Sequence, residues 1–325
     1  MSRLAAITGG TGFIGPHVTS AFAAAGWRLR VLVRRQPPSA CGSPETVPGS
    51  LADPGALAAL VDGADAVVHL AGCIKARSRS VFMSVNRDGT AAFAKAWRAG
   101  APEARFVLLS SIATREPGLS AYAASKAAGE VALAGVATGD ALVLRPPAVY
   151  GPGDRQTLTL FRTANWPLQP VPNRPGARLA LIHAGDLAAA VLAAAERTMP
   201  PGTWEVSDMR PKGYTWAEIF AAACAACGRQ ARPVRMPSGA LHAAGFFGDL
   251  LALGGASPML TSGKRREILH PDWSSRPDAQ PPPGIWRPVR SLDDGFAETV
   301  SWYRSAGWLS PGAGSAPLGQ CAGDE

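Results

Sequence analysis

The stretch Thr8-Gly9-Gly10-Thr11-Gly12-Phe13-Ile14-Gly15 decides how the chain reads. It closes a short apolar run at residues 4–8 and opens a helical pattern at 17–25. It contains GxGxxG from Gly10, Gly12 and Gly15, and GxxGxxG from Gly9. Glycines let the main chain turn sharply and approach a pyrophosphate with no Cβ in the way. The helix that follows offers unpaired N–H groups and the positive end of its dipole. Pro16 suits a first helical turn, where a missing N–H costs little. The predicted cofactor contacts here are Gly9, Gly10, Thr11, Gly12, Phe13, Ile14 and Gly15.

Working outward, apolar runs alternate with helical patterns. Strands are predicted at 29–33, 66–70, 106–109 and 142–144, and helices at 54–61, 90–99 and 122–134. Strands with no polar alternation, separated by helices of about ten residues, belong to a parallel sheet covered on both faces. The fold class expected is therefore α/β, a doubly wound (Rossmann) parallel sheet. After Val149, prolines 152, 167, 170, 172 and 175 break the chain into loops. Further regular pieces are expected at 179–182 (strand), 185–196 (helix), 204–206 (strand) and 216–227 (helix). The predicted organisation is a dinucleotide-binding domain over 1–150, with the pieces within 178–210 returning to it. A smaller, irregular substrate-binding portion follows over 151–310, then a frayed Gly/Ser/Ala-rich tail over 311–325.

The second strand, Leu29-Arg30-Val31-Leu32-Val33, ends in Arg34-Arg35. A site that prefers NAD places an acidic residue there for the ribose 2′-OH. Two guanidiniums suit a 2′-phosphate instead, so NADP is expected, with NAD the second choice. A second constellation is Tyr122-Ala123-Ala124-Ser125-Lys126. On a helix, positions i and i+4 share a face, which sets the Lys126 ammonium near the Tyr122 phenol. A nearby cation favours the ionised phenol and makes it usable for proton transfer. Upstream, the strand at 106–109 ends in Ser110-Ser111, and strand C-termini face the ligand crevice in open α/β sheets. One of these serines, Ser111 first, can hydrogen-bond the substrate oxygen that Tyr122 protonates.

Composition narrows the field. The chain has 325 residues, 47% of them hydrophobic and 17% charged, which excludes a disordered chain. Lys+Arg number 32 against 24 Asp+Glu, a net charge of +8. The surplus is mostly arginine and spread along the chain, without the basic block of a nucleic-acid groove, so no nucleic-acid partner is expected. Cys41, Cys73, Cys224, Cys227 and Cys321 form no disulfide framework, and Cys224-Ala225-Ala226-Cys227 sits in an Ala-rich helical run, so no metal site is expected. A reducing, cytoplasmic location is expected. Residues 238–262 are apolar, with Phe246 and Phe247, but carry five glycines and Asp249. They predict a buried or interfacial pair of helices rather than a span, with peripheral membrane contact open.

Taken together, the chain resembles the extended short-chain dehydrogenase/reductase superfamily, the NAD(P)-dependent epimerase/dehydratase-like proteins. The resemblance rests on TGGTGFIG (8–15), DAVVHLAG (65–72), VNRDGT (85–90), LLSS (108–111), YAASK (122–126), LRPPAVYGPGD (144–154) and LIHAGDLAAAV (181–191). It implies that Tyr122 is the acid/base, that Lys126 lowers its pKa and binds the nicotinamide ribose, and that Ser111 completes the set. It also implies that Leu70, Ala71 and Gly72, after His69, lie along the adenosine and ribose, and that Pro146, Pro147, Ala148 and Val149 lie by the nicotinamide. Ser50 and Leu51, Asn86 and Ser110 complete the cofactor contacts it suggests. Ser50 stands where many relatives carry Asp, and Ile112-Ala113-Thr114 replaces a usual Val-Tyr-Gly segment. The first functional expectation is hydride transfer between nicotinamide and a ketone or secondary alcohol on a hydrophobic, steroid-, flavanone- or lipid-like small molecule. The alternatives are a nucleotide-sugar epimerase/dehydratase with tightly bound NAD and a non-catalytic cofactor-binding subunit. A homodimer is compatible with the sequence.

Overall fold

The computed structural model describes residues 2–35, 44–137, 140–236 and 262–310. Strand β1 (Leu4–Thr8) is buried at every position and runs straight into the glycine turn. Helix α1 (Ile14–Ala24) leaves that turn with no side-chain cap at Phe13, and β2 (Arg28–Val33) follows. After β3 (Glu45–Pro48), the Asp53 carboxylate caps α2 (Pro54–Val61) by accepting from Ala56 N, with Pro54 in the first turn. Strand β4 (Ala66–His69) leads to α3 (Arg79–Met83), which passes through a π-helical turn at Ser84–Asp88 into α4 (Gly89–Gly100). Then come β5 (Arg105–Leu109), α5 (Ala121–Ala134) capped by Ser120, and β6 (Ala141–Arg145).

Beyond β6 the elements shorten. They are β7 (Ala148–Tyr150), α6 (Leu158–Ala164), β8 (Gln169–Pro172), β9 (Arg178–Leu179) and β10 (Leu181–His183). Helix α7 (Ala184–Ala195) and β11 (Gly202–Glu205) follow. Helix α8 (Trp216–Ala226) is fixed by a reciprocal Thr215/Glu218 capping box. Strand β12 (Pro233–Met236), α9 (Ser262–Leu269), β13 (Asp272–Trp273) and α10 (Leu292–Ser305) complete the described chain.

Seven parallel strands form the central sheet in the order β11-β6-β5-β4-β1-β2-β3. Ala5, Ile7, Val68, Val107 and Leu144 pack on one face against Val18 and Phe22 of α1 and the Ala-rich α7. Ala6, Val67, Phe106 and Leu108 pack on the other against Leu57, Leu60, Phe93 and Trp97. Adjacent residues such as Ala5 and Ala6 are both covered, which is why the strand sequences show no polar alternation. The chain winds outward from β1 in one direction and from β4 in the other. The switch point therefore lies between β1 and β4, above the glycine turn, where such sheets bind ligands.

The second half folds against the sheet through three two-stranded parallel ribbons, β7–β10, β8–β12 and β9–β13. Its core gathers Tyr150, Phe161, Tyr214, Ile219, Phe296 and Tyr303. The single strand expected at 179–182 divides, because Leu179 pairs with Trp273 while Leu181–His183 pairs with β7. Cys224 and Cys227 are buried in this core as free thiols. Among the described residues no helix is long and apolar enough to cross a membrane. Cys41, Cys321, the apolar run up to 261 and the tail at 311–325 lie outside the described residues.

Candidate active site

The glycine turn is built by close approaches. Gly9 has φ +76°, and a Cβ there would stand 2.5 Å from the main-chain N of Ala71. At Gly15 a Cβ would stand 2.1 Å from the carbonyl O of Gly10, and at Gly10 2.6 Å from Val31 Cγ1. Thr11 and Gly12 are exposed, Phe13 and Ile14 half-buried. This bare turn, aimed by β1 at an uncapped helix start, fits a dinucleotide pyrophosphate.

The loop after β4 continues the crevice. His69 does not line it: its ring is fully buried, with Nδ1 2.6 Å from Thr8 Oγ1 and Nε2 3.1 Å from Thr90 Oγ1. Burial pushes its pKa down to about 3, so it is a neutral strut holding β4 to β1 and α4. Leu70 and Ala71 are half-buried and Gly72 is exposed. A Cβ at Gly72 would come within 3.7 Å of Lys126 Nζ and 3.4 Å of Asn86 Oδ1. The loop therefore joins the glycine turn, through Ala71, to Lys126, through Gly72. Asn86, in the π-helical turn, fixes it by accepting from Cys73 N (2.7 Å) and donating to Cys73 O (2.9 Å) and Ser125 Oγ (2.8 Å).

Helix α5 brings the residues expected to transfer the proton to the same place. The Ser111 side chain lies near enough to the Tyr122 hydroxyl to lower its pKa, and its Oγ caps a short turn by accepting from Ala113 N at 3.2 Å. Lys126 Nζ donates to the carbonyl of Leu109, the last residue of β5, at 2.7 Å. The expected acidification of Tyr122 by Lys126 is not what the structure shows. Burial pushes the phenol up to about 12, the Ser111 side chain pulls the other way, and the Glu267 charge raises it further. Lys126 is itself buried, its pKa pushed down to about 8 against the pull of Glu130, and its Nζ is held at Leu109.

The Ser110 hydroxyl donates to Glu130. Glu130 also accepts from Arg145 Nε (3.0 Å) and Nη2 (2.5 Å), tying the ends of β5 and β6 to α5. Sequence reasoning missed this residue, although Glu130 repeats the four-residue spacing from Tyr122 through Lys126. It also missed Glu267 of α9, which accepts from Ser120, the cap of α5. No local signal links those two positions. Pro146 and Pro147 are buried, with Pro146 O accepting from Ile112 N at 3.0 Å, while Ala148 is exposed and Val149 half-buried. Arg34 and Arg35 are exposed just past β2. Beside them Gly49 N bonds Val33 O (3.0 Å) and Ser50 Oγ accepts from Ala52 N (3.2 Å). Leu51 packs on Gly89 of α4, so its side chain serves the core as much as the crevice.

The chain matches the NAD dependent epimerase/dehydratase family over residues 5–207. It belongs to that family. A ceramide reductase of Caulobacter vibrioides is 47% identical over 311 residues, covering 94% of this chain and 95% of that protein. The Bordetella bronchiseptica enzyme WbmH, solved in complex with NAD+, superposes with a TM-score of 0.72 at 18% identity over 94% of this chain and 100% of that one. A UDP-N-acetylglucosamine 4-epimerase from Bacillus cereus gives 0.66 at 20% identity over 93% and 97%. These two share the fold. Membership of the epimerase/dehydratase family makes the chain an NAD-dependent enzyme, and the crevice described above lies where the fold of that family offers a ligand site.

Proposed function

We propose that this enzyme is a reductase that converts a ketone on a long-chain, ceramide-like lipid to the secondary alcohol, with a preference for NADPH. The observation that carries the substrate class is the 47% identity, over nearly the whole of both chains, to a protein named ceramide reductase. A ceramide is an N-acylated long-chain amino alcohol with one primary and one secondary hydroxyl. Short-chain dehydrogenase chemistry acts at a secondary carbinol, so the substrate carbonyl belongs at that carbon.

A nicotinamide cofactor held over the glycine turn would supply the hydride for the carbonyl carbon. Tyr122 gives its proton to the carbonyl oxygen, so hydride and proton together make the alcohol. A phenol pushed up to about 12 stays protonated at neutral pH, the state that proton donation to a carbonyl requires. Ser111 holds the same oxygen and steadies the charge that develops on it. Lys126, cationic below about 8, lies 3.7 Å from the Cβ position of Gly72, where it would hold the nicotinamide ribose. Arg34 and Arg35, exposed at the end of β2 with no acidic residue in the strand, favour a 2′-phosphate.

Purified protein with NADPH and an N-acyl long-chain amino alcohol oxidised to the ketone at its secondary carbon should yield the alcohol, followed by mass spectrometry. No product beyond that of Tyr122→Phe would overturn the substrate reading. Dissociation constants should favour NADPH over NADH by about tenfold or more, the effect of one good charge-assisted contact. Equal affinities would return the cofactor to NAD.

A further inference from the structure

We infer that the outer face of the β8–β12 ribbon is a docking surface for an acidic phospholipid bilayer. The register pairs Pro170 with Val234 and Pro172 with Met236. Directly paired residues of parallel strands lie on one side of a sheet, and side chains alternate along each strand. Leu168, Pro170 and Pro172 therefore share a face with Val234 and Met236. The other face of β8 turns inward, since Gln169 and Val171 are buried. Among the described residues the outer face is apolar and exposed: Leu168 is 55% exposed and Val234 47%. Trp166, 57% exposed, stands at its margin. An indole in water beside leucine, valine and proline is costly for a monomer surface and typical of a membrane interface.

Charge names the occupant. No Asp or Glu occurs between Asp154 and Asp186, or between Glu218 and Asp249, the two stretches that hold β8 and β12. Arg162, Arg174, Arg229, Arg232 and Arg235, all within those stretches, are exposed. None of the five makes an ion pair with a carboxylate among the described residues. Elsewhere on the surface Arg3, Arg30, Arg197 and Arg210 are paired with acids. Arg232 is two residues before Val234 and Arg174 two residues after Pro172, while Arg235, paired with Val171, lies on the other face of the ribbon. An apolar face with unpaired arginines at the ends of its strands complements anionic headgroups over acyl chains. It does not suit a nucleotide, which would need a pocket, or a second copy of the same patch, whose arginines would repel. The surface is distinct from the crevice, and its assignment does not depend on which molecule is reduced there.

The test is vesicle sedimentation of the full chain, with no turnover involved. Vesicles of phosphatidylglycerol mixed with phosphatidylcholine should carry the protein down, and pure phosphatidylcholine should bind it at least about tenfold less well. Binding should weaken as salt rises from about 0.05 to about 0.5 M, where the Debye length shortens severalfold. Leu168→Asp with Val234→Asp, and separately Arg174→Glu with Arg232→Glu, should abolish binding, each arginine removed costing about fivefold. Both variants should keep their melting temperature and their affinity for reduced cofactor. Wild-type protein that ignores anionic vesicles, or variants that bind as well as wild type, would overturn the inference. So would light scattering that shows a wild-type dimer and a monomeric Leu168→Asp/Val234→Asp variant, which would assign the face to self-association.

Discussion

In the proposed reaction Tyr122 is the acid. Burial among Phe82, Ser111 and the start of α5 pushes its hydroxyl up to about 12, so it holds its proton across the working range. Tyr122→Phe removes that proton and leaves the ring. The expected result is a fall in kcat of about 10²–10⁴-fold with cofactor affinity retained, measured by steady-state kinetics and cofactor titration. Lys126 titrates closer to neutrality, at about 8, because burial disfavours its ammonium. A lowered cationic pKa means that the charge is present below that value and lost above it. If the ammonium aids the reduction, kcat/KM should be level below pH 8 and fall as pH rises through it. Lys126→Arg keeps its charge and should turn at a lower rate with that fall removed. A wild-type profile level to pH 9, or an unchanged fall in Lys126→Arg, would show that Lys126 does not act through its charge.

At the scale of elements, the β1–α1 turn tolerates no side chain. A methyl at Gly15 would meet the Gly10 carbonyl at 2.1 Å, and because that neighbour is main chain the turn must shift. Gly15→Ala should lower stability by about 1–3 kcal/mol, the range for overpacking, and weaken cofactor binding about tenfold or more. Gly118→Ala, where a methyl meets nothing within 4 Å, should stay within about 0.5 kcal/mol of wild type in the same urea titration. Turn and central strands were legible because each signal is local: runs such as Leu4–Thr8 are buried on both sides, and glycines mark the turn. Strand β3 (Glu45–Pro48) was not, since it lies at the sheet edge and carries mixed, half-exposed residues. Helix α10 was hidden behind the Pro-rich stretch before it, although Ser291 with Asp293 and Asp294 is a good helix start. In the site, Tyr122, Lys126 and Ser111 were legible from spacing and order. The direction of the Tyr122 shift was not, because it depends on burial and on Glu267, which is far away in sequence. The same holds for Glu130, whose partners are Ser110, just past β5, and Arg145 of β6.

Across the whole molecule, the sheet and the second half are joined by buried polar groups as well as by apolar packing such as Ile112 and Ala123 against Trp273. Asp186 of α7, 2% exposed, accepts from Val289 N (3.1 Å), Arg290 N (3.0 Å) and Arg290 Nη1 (2.9 Å), and so straps the start of α10 to the sheet. Asp208, just past β11, bonds Arg210 N (2.9 Å) and the Tyr214 hydroxyl (2.9 Å), while its own N–H bonds Leu181 O (2.8 Å). It thus links the seventh strand to β10 and the aromatic core. Burial pushes its carboxyl up to about 6, against the pull of those hydrogen bonds. An unfolded aspartate titrates near 4, so between about pH 4 and 6 the folded chain holds the extra proton. Stability from this group is full below that window and is lost as pH rises through it, by roughly 3 kcal/mol. Asp208→Asn keeps an acceptor for Arg210 N and cannot ionise. The difference between wild-type and Asp208→Asn unfolding free energies, from urea titrations at pH 4 to 7, should therefore shift in the variant's favour by about that amount between pH 4 and 6 and then level off. Parallel curves would mean that the carboxylate is as well solvated in the folded joint as in the unfolded chain.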